Sequence, residues 1–116
     1  MSARVEALAR LARAWNLGFW KRDGTECEGV LEWAHLIEDQ GYCYLAVTDI
    51  GAVRVSTVWL GIDPARRSPP HIFETWNQAT DYRETYSSEG EALAGHEAEV
   101  ARVRAQLAAV SAGGSP

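Results

Sequence analysis

Between Tyr42 and Ile62 two runs rich in β-branched and aromatic residues, YCYLAVTD and AVRVSTVWLGI, are separated only by Ile50 and Gly51. Strand-forming residues on both sides of so short a turn predict a β-hairpin. Val53, Val55, Thr57 and Trp59 share one face of the second run, and Arg54, Ser56, Val58 and Leu60 share the other. Apolar residues on both faces place this strand centrally, partly covered on each side. The segment DPARRSPP then ends it, because adjacent prolines cannot continue a ladder. HIFETW and DYRETY, joined through NQAT, read as two further strands, so the meander holds four.

A sheet with one apolar face needs a cover, and the C-terminal third provides one. Ser88-Glu89-Gly90-Glu91 fits a capping box, with the Ser88 hydroxyl accepting from the Glu91 backbone and the Glu91 carboxylate reaching back. Leu93, Val100 and Leu107 repeat every seven residues, and His96, Val103 and Val110 repeat in the intervening register. One long helical stripe results. Upstream, Val5, Leu8, Leu11, Ala12 and Trp15 recur at helical spacing with Arg4, Arg10 and Arg13 between them, which predicts an amphipathic helix over 1–15. A shorter helix is expected over Val30 to Glu38, with Leu31, Ala34 and Ile37 facing inward beside Trp33, ended by Asp39, Gln40 and Gly41. The expected class is α+β: a four-stranded, mainly antiparallel sheet packed by a long C-terminal helix, with shorter N-terminal helices. The organisation is an N-terminal helix over 1–15, a single domain over 16–110 and a flexible tail over 111–116.

At 116 residues, 47% apolar and 23% charged, the chain suits one globular domain able to bury a core without staples. Its apolar runs are too short for a membrane span, and the arginine-studded N-terminus lacks the form of a secretory signal. The expected address is cytoplasmic. Charge is unevenly spread: residues 1–22 carry a local +4, whereas residues 23–51 carry seven acids and no Lys or Arg. With a net charge of -5 and a single lysine, direct nucleic-acid binding is disfavoured. An acidic block attracts basic surfaces, although a merely solvated face is the plainer reading.

The remaining residues do not assemble a reaction. Cys27, His35 and Cys43 lack a Cys-x-x-Cys pair and a fourth ligand, so neither metal nor cofactor is expected. His96 sits in the apolar stripe and reads as a hydrogen-bonded packing histidine, since no nucleophile can be assigned to it. His71, after Pro70, reads as loop-facing. Ser56 and Thr57 have no nucleophile elbow around them. Glu74, on a face shared with Ile72 and Trp76, calls for an ion-pair partner such as Arg54 or Arg83. No catalytic residue is therefore assigned. Of five tryptophans, Trp20 and Trp76 are the candidates for exposed anchors.

VSTVWLGID, PPHIFET and YSSEGEALAGHEAEVARV, together with WKRDG and LEWAHLIED, resemble a family of small uncharacterised proteins of bacteriophages and prophage regions. The resemblance covers residues 19–104. Where that family carries Gly-rich loops, this chain has DPARRSPP and WNQAT. The resemblance implies a phage-linked accessory role and no activity. Combined with the charge, it gives a leading expectation: a non-enzymatic protein that binds a host protein through Glu26, Glu28, Glu32, Glu38 and Asp39, with Trp20 and Trp76 as anchors. Inhibition of a nucleic-acid-targeting host defence system, in the manner of an anti-CRISPR, is one form of this. The host effector would present a basic surface to a monomer or homodimer. The alternatives are a small enzyme or ligand-binding domain built on His71, Glu74 and His96, and a virion assembly component.

Overall fold

The computed structural model describes residues 3–14 and 16–113. The elements are α1 (Ala3–Ala14), α2 (Val30–Glu38), α3 (Gln40–Cys43), β1 (Tyr44–Ile50), β2 (Val53–Trp59), β3 (Phe73–Asn77), β4 (Tyr82–Tyr86) and α4 (Glu89–Gly113). The class is α+β, as the sequence implies.

The four strands form one antiparallel sheet in the order β1-β2-β3-β4. Gly51 makes the first turn at φ +59, a left-handed backbone that favours glycine. Thr57 faces Thr75 across β2 and β3, and Trp76 faces Arg83 across β3 and β4. Cys43 lies outside the first strand, contrary to the extended run read from YCYLAVTD. It closes α3, where its thiol donates to the carbonyls of Leu36 and Ile37 at 3.4 and 3.3 Å. Asp39 makes the extra turn possible by capping it through the Tyr42 N–H.

α4 covers the inner face of the sheet. The Ser88 hydroxyl accepts from Glu91 N–H at 3.2 Å, and the Glu91 carboxylate accepts from the hydroxyls of Ser87 and Ser88. It reaches back to side chains where a capping box uses the backbone. The buried stripe is Ala92, His96, Glu99, Val100 and Val103. Leu93 and Leu107 are 37% and 41% exposed, and Val110 more so. At about 1.5 Å per residue α4 is roughly 37 Å long, while a seven-residue strand is roughly 23 Å. Leu107 and Val110 therefore lie in register with the stripe but past the sheet. The helix also continues through Gly113, beyond the boundary at Val110; 114–116 lie outside the described residues.

The main core gathers Trp33, Trp59, Phe73 and Ile72 with Ala9, Ala34 and Ala92. Trp33 Nε1 donates to the Leu60 carbonyl at 2.8 Å, and Trp59 Nε1 to the Trp20 carbonyl at 3.1 Å. Each indole thus buries its ring and satisfies its donor. α1 contributes Ala9 and Ala12 to the interior and leaves Leu11 exposed. Trp15 and the side chains of Val5, Leu8 and Arg4 lie outside the described residues.

Candidate functional site

The α2 region carries the acidic residues and departs most from the expected arrangement. Gly29 offers no side-chain cap, so Glu32 reaches back to the Glu28 N–H at 3.0 Å. Burial of the Trp33 indole fixes the rotation of the helix. Leu31, two residues earlier and nearly on the opposite side at 3.6 residues per turn, is turned out and is 67% exposed. The expectation that Leu31 faces inward is thus corrected; Ala34 does so, and Ile37 is half-buried. Leu31, His35 and Glu38 share the solvent face at i, i+4 and i+7, with Glu28 preceding them.

Glu26, Glu28, Glu38 and Asp39 are exposed. Glu32 is half-buried and lies 3.6 Å from Lys21 Nζ, so part of its charge is balanced from the preceding segment. Asp39 is committed to the α3 cap. Trp20 is half-buried, with its ring over Gly18, where a Cβ would meet it at 2.5 Å. Trp76 lies on the outer face beneath Arg83, 4.6 Å from guanidinium carbon to ring centroid, and donates to Asp81 at 2.8 Å. Both indoles are engaged within the chain.

The histidines fall on opposite sides of the sheet. His96, 1% exposed, places Nδ1 2.8 Å from the Thr57 hydroxyl and Nε2 2.8 Å from the Thr48 hydroxyl. Thr57 in turn lies 2.6 Å from Thr75. One helix and two strands meet at this imidazole, a third strand joins through Thr75, and burial lowers the pKa of the ring against the opposing pull of Glu97. A neutral ring with one donor and one acceptor matches hydroxyls that serve as either. This is a packing histidine. Its neighbour in the interface, Glu99, accepts from Arg102 and from Asn77 Nδ2, and the Arg102 hydrogen bond holds its carboxyl below the usual range despite burial.

His71 is at the other side, where Nδ1 lies 3.0 Å from the Thr85 hydroxyl. Glu74, the cross-strand neighbour of Thr85, pairs with Arg83 at 3.2 Å, while Arg54 pairs with Asp49. The set His71, Glu74 and His96 is therefore not brought together. Sequence reading passed over Asp63, the buried organiser of this loop. It accepts from the N–H groups of Ala65, Arg67 and His71 and from the Arg67 guanidinium. Burial alone would raise its carboxyl; the three backbone donors and Arg67 outweigh that and hold it below the ordinary aspartate range. The Asp-Pro start of an irregular segment was the available signal.

No family model, curated protein or solved structure matches the chain. Among the described residues, no three His, Cys, Asp or Glu side chains are grouped to hold a metal ion, and no helix is long and apolar enough to cross a membrane. Cys27, beside Glu32, has its thiol pushed up to about 11, burial being the larger cause. It is no ready nucleophile near neutral pH.

A groove of about 550 Å³ lies between β4 and α4. Tyr82 and Tyr86 form one wall; Gly95, Ala98, Glu99 and Arg102 form the other. Gly95 sits against Tyr86, whose hydroxyl and ring a Cβ at that position would strike. Arg102 lies over Tyr82 at 5.6 Å and holds Glu99.

Proposed function

We propose that this protein is a non-enzymatic binding protein that works by occupying a basic surface on another protein. The observation that carries the reading is Leu31, exposed on the acidic face of α2 between Glu28 and Glu38. An apolar side chain on the same face as exposed carboxylates combines a desolvated contact with steering toward a positive partner. A helix serving only solubility has no use for a leucine turned out on the solvent face of its first turn. The resemblance of residues 19–104 to small phage and prophage proteins gives the setting: a phage-linked accessory protein acting on a host protein in the cytoplasm. A nucleic-acid-targeting defence effector, whose groove is basic by necessity, is the partner class that fits best. Glu28, Glu38 and Asp39 supply the charge, with Glu26 at the margin and Glu32 partly offset by Lys21.

Affinity capture from host lysate with the wild-type chain and with Leu31→Asp tests the reading. A basic protein retained by wild type, released by salt and lost with Leu31→Asp supports it. Retention by both chains, or capture of virion components alone, rejects it, the latter in favour of an assembly role.

A further inference from the structure

We propose that the groove between β4 and α4 is a docking site for an extended basic peptide segment, which adds to the sheet as a fifth strand. β4 is the last strand of the sheet, so among the described residues no strand pairs with the backbone donors and acceptors of its outer edge. α4 runs antiparallel beside it: Gly95 touches Tyr86, and seven residues later Arg102 covers Tyr82. The two walls are thus of similar length, roughly 11 Å along the helix and 13 Å along the strand. That span matches four or five extended residues. Ala98, small and exposed between the contacts at Gly95 and Arg102, keeps the helical wall low and leaves room for the incoming chain. An extended segment lying between an edge strand and a helix gains affinity from its main chain and specificity from alternate side chains.

Charge complementarity sets the class of segment. Tyr82, Glu84 and Tyr86 alternate along β4 and so point to the same, α4-facing side of the strand. Glu84 is exposed and accepts only a long hydrogen bond from the Tyr82 hydroxyl, 3.4 Å, with no ion pair among the described residues. A carboxylate flanked by two phenol rings suits a Lys or Arg side chain, which pairs with the acid while lying against aromatic faces. Arg102 does not oppose this, because Glu99 neutralises it at bonding distance. The site lies on β4 and α4, apart from the acidic face of α2, and stands whether or not the α2 reading holds.

The test uses the full chain and a fluorescent, end-blocked hexapeptide alternating Lys and Val, with a Glu-Val peptide and an N-methylated Lys-Val peptide as controls. The expected result is saturable binding of the Lys-Val peptide, with amide shifts confined to β4 and the Gly95 to Arg102 stretch. Glu84→Lys and Ala98→Trp, both at exposed positions, should each weaken it at least tenfold without lowering Tm, and N-methylation should do the same. Glu28→Gln with Glu38→Gln should leave it unchanged. Absence of saturable binding, equal binding of the Glu-Val or N-methylated peptide, or wild-type affinity in Ala98→Trp overturns the proposal. So does loss of binding only in the Glu28 and Glu38 variant, which would place the peptide on α2.

Discussion

Nδ1 of His96 lies 2.8 Å from the hydroxyl of Thr57, and through this bond the N-terminal third of α4 is tied to a central strand of the sheet. Truncation to His96→Ala leaves a cavity and removes a partner from both Thr48 and Thr57. The cost should be about 2 to 4 kcal/mol, measured by urea unfolding near neutral pH.

The same ring gives a pH dependence with a definite sign. Its folded pKa is depressed by burial, so between that value and the ordinary histidine pKa the unfolded chain binds more protons. Stability is then full above the ordinary value and falls as pH drops through this window. The carboxylates held low by their partners, Asp63, Glu89 and Glu99, lose their contributions only at more acid pH. In His96→Gln the upper limb of the stability profile should flatten while the acid limb remains. An unchanged upper limb would assign it to another group.

Position along α4 should separate two apolar truncations that look alike in sequence. Val100 is 2% exposed and packs with Val55 and Val103, so Val100→Ala should cost about 1 to 2 kcal/mol. Leu107→Ala, past the end of the sheet, should stay within about 0.5 kcal/mol. Thermal unfolding of the two variants side by side decides it, and equal losses would mean that Leu107 is covered.

At Gly95 a general rule should reverse. Alanine is favoured over glycine inside a helix by about 1 kcal/mol, yet here the added Cβ meets the Tyr86 ring. Gly95→Ala should therefore lower Tm. Pairing it with Tyr86→Leu, which removes the hydroxyl it strikes, should relieve much of the loss. A rise in Tm for Gly95→Ala alone would show that Tyr86 moves aside freely.

The strands and the covering helix were legible because each rests on a local period or signal: alternation over Val53 to Trp59, turn residues at Gly51, a serine cap at Ser88; the order of the strands in the sheet came only with the structure. What was not legible depended on which of several apolar residues wins a shared burial. On α2, Trp33 outweighs Leu31, and the acidic face acquires an apolar residue that periodicity assigned to the core. On α4, the seven-residue repeat continues unbroken through Leu107 and Val110, because a sequence period does not register where the sheet stops. The network of Thr48, Thr57 and Thr75 with His96 depends on which strands and helix meet, which strand alternation alone does not reveal. Glu99 lies off the seven-residue repeats of Leu93 and His96, and it is buried because Asn77 and Arg102 donate to it.

Asp63 should prove more important to stability than any acid of the 23–51 block. Asp63→Ala strips three backbone N–H groups and Arg67 of their acceptor, at a cost of about 2 to 3 kcal/mol. Since its folded pKa is depressed, the wild-type contribution is present above the ordinary aspartate pKa and is lost as pH falls through the folded value. Denaturant unfolding of wild type and Asp63→Ala at neutral and at strongly acid pH should show the gap closing in acid. A gap that persists there would mean the ionised carboxylate is not its source.

The central claim, that the acidic face of α2 engages a basic partner, is tested most directly by the affinity of the captured partner for wild type and for a triple variant. Glu28→Gln, Glu38→Gln and Asp39→Asn remove charge; asparagine keeps the α3 cap, and Glu32 is left alone because Lys21 already balances it. Isothermal titration at about 0.05 and 0.3 M salt spans a large change in screening length. The account predicts at least a tenfold loss of affinity at the lower salt, a weaker salt dependence than wild type, and an unchanged Tm, since exposed charges contribute little to folding. Wild-type affinity in the triple variant at low salt would contradict it and reduce the acidic face to a solvated surface.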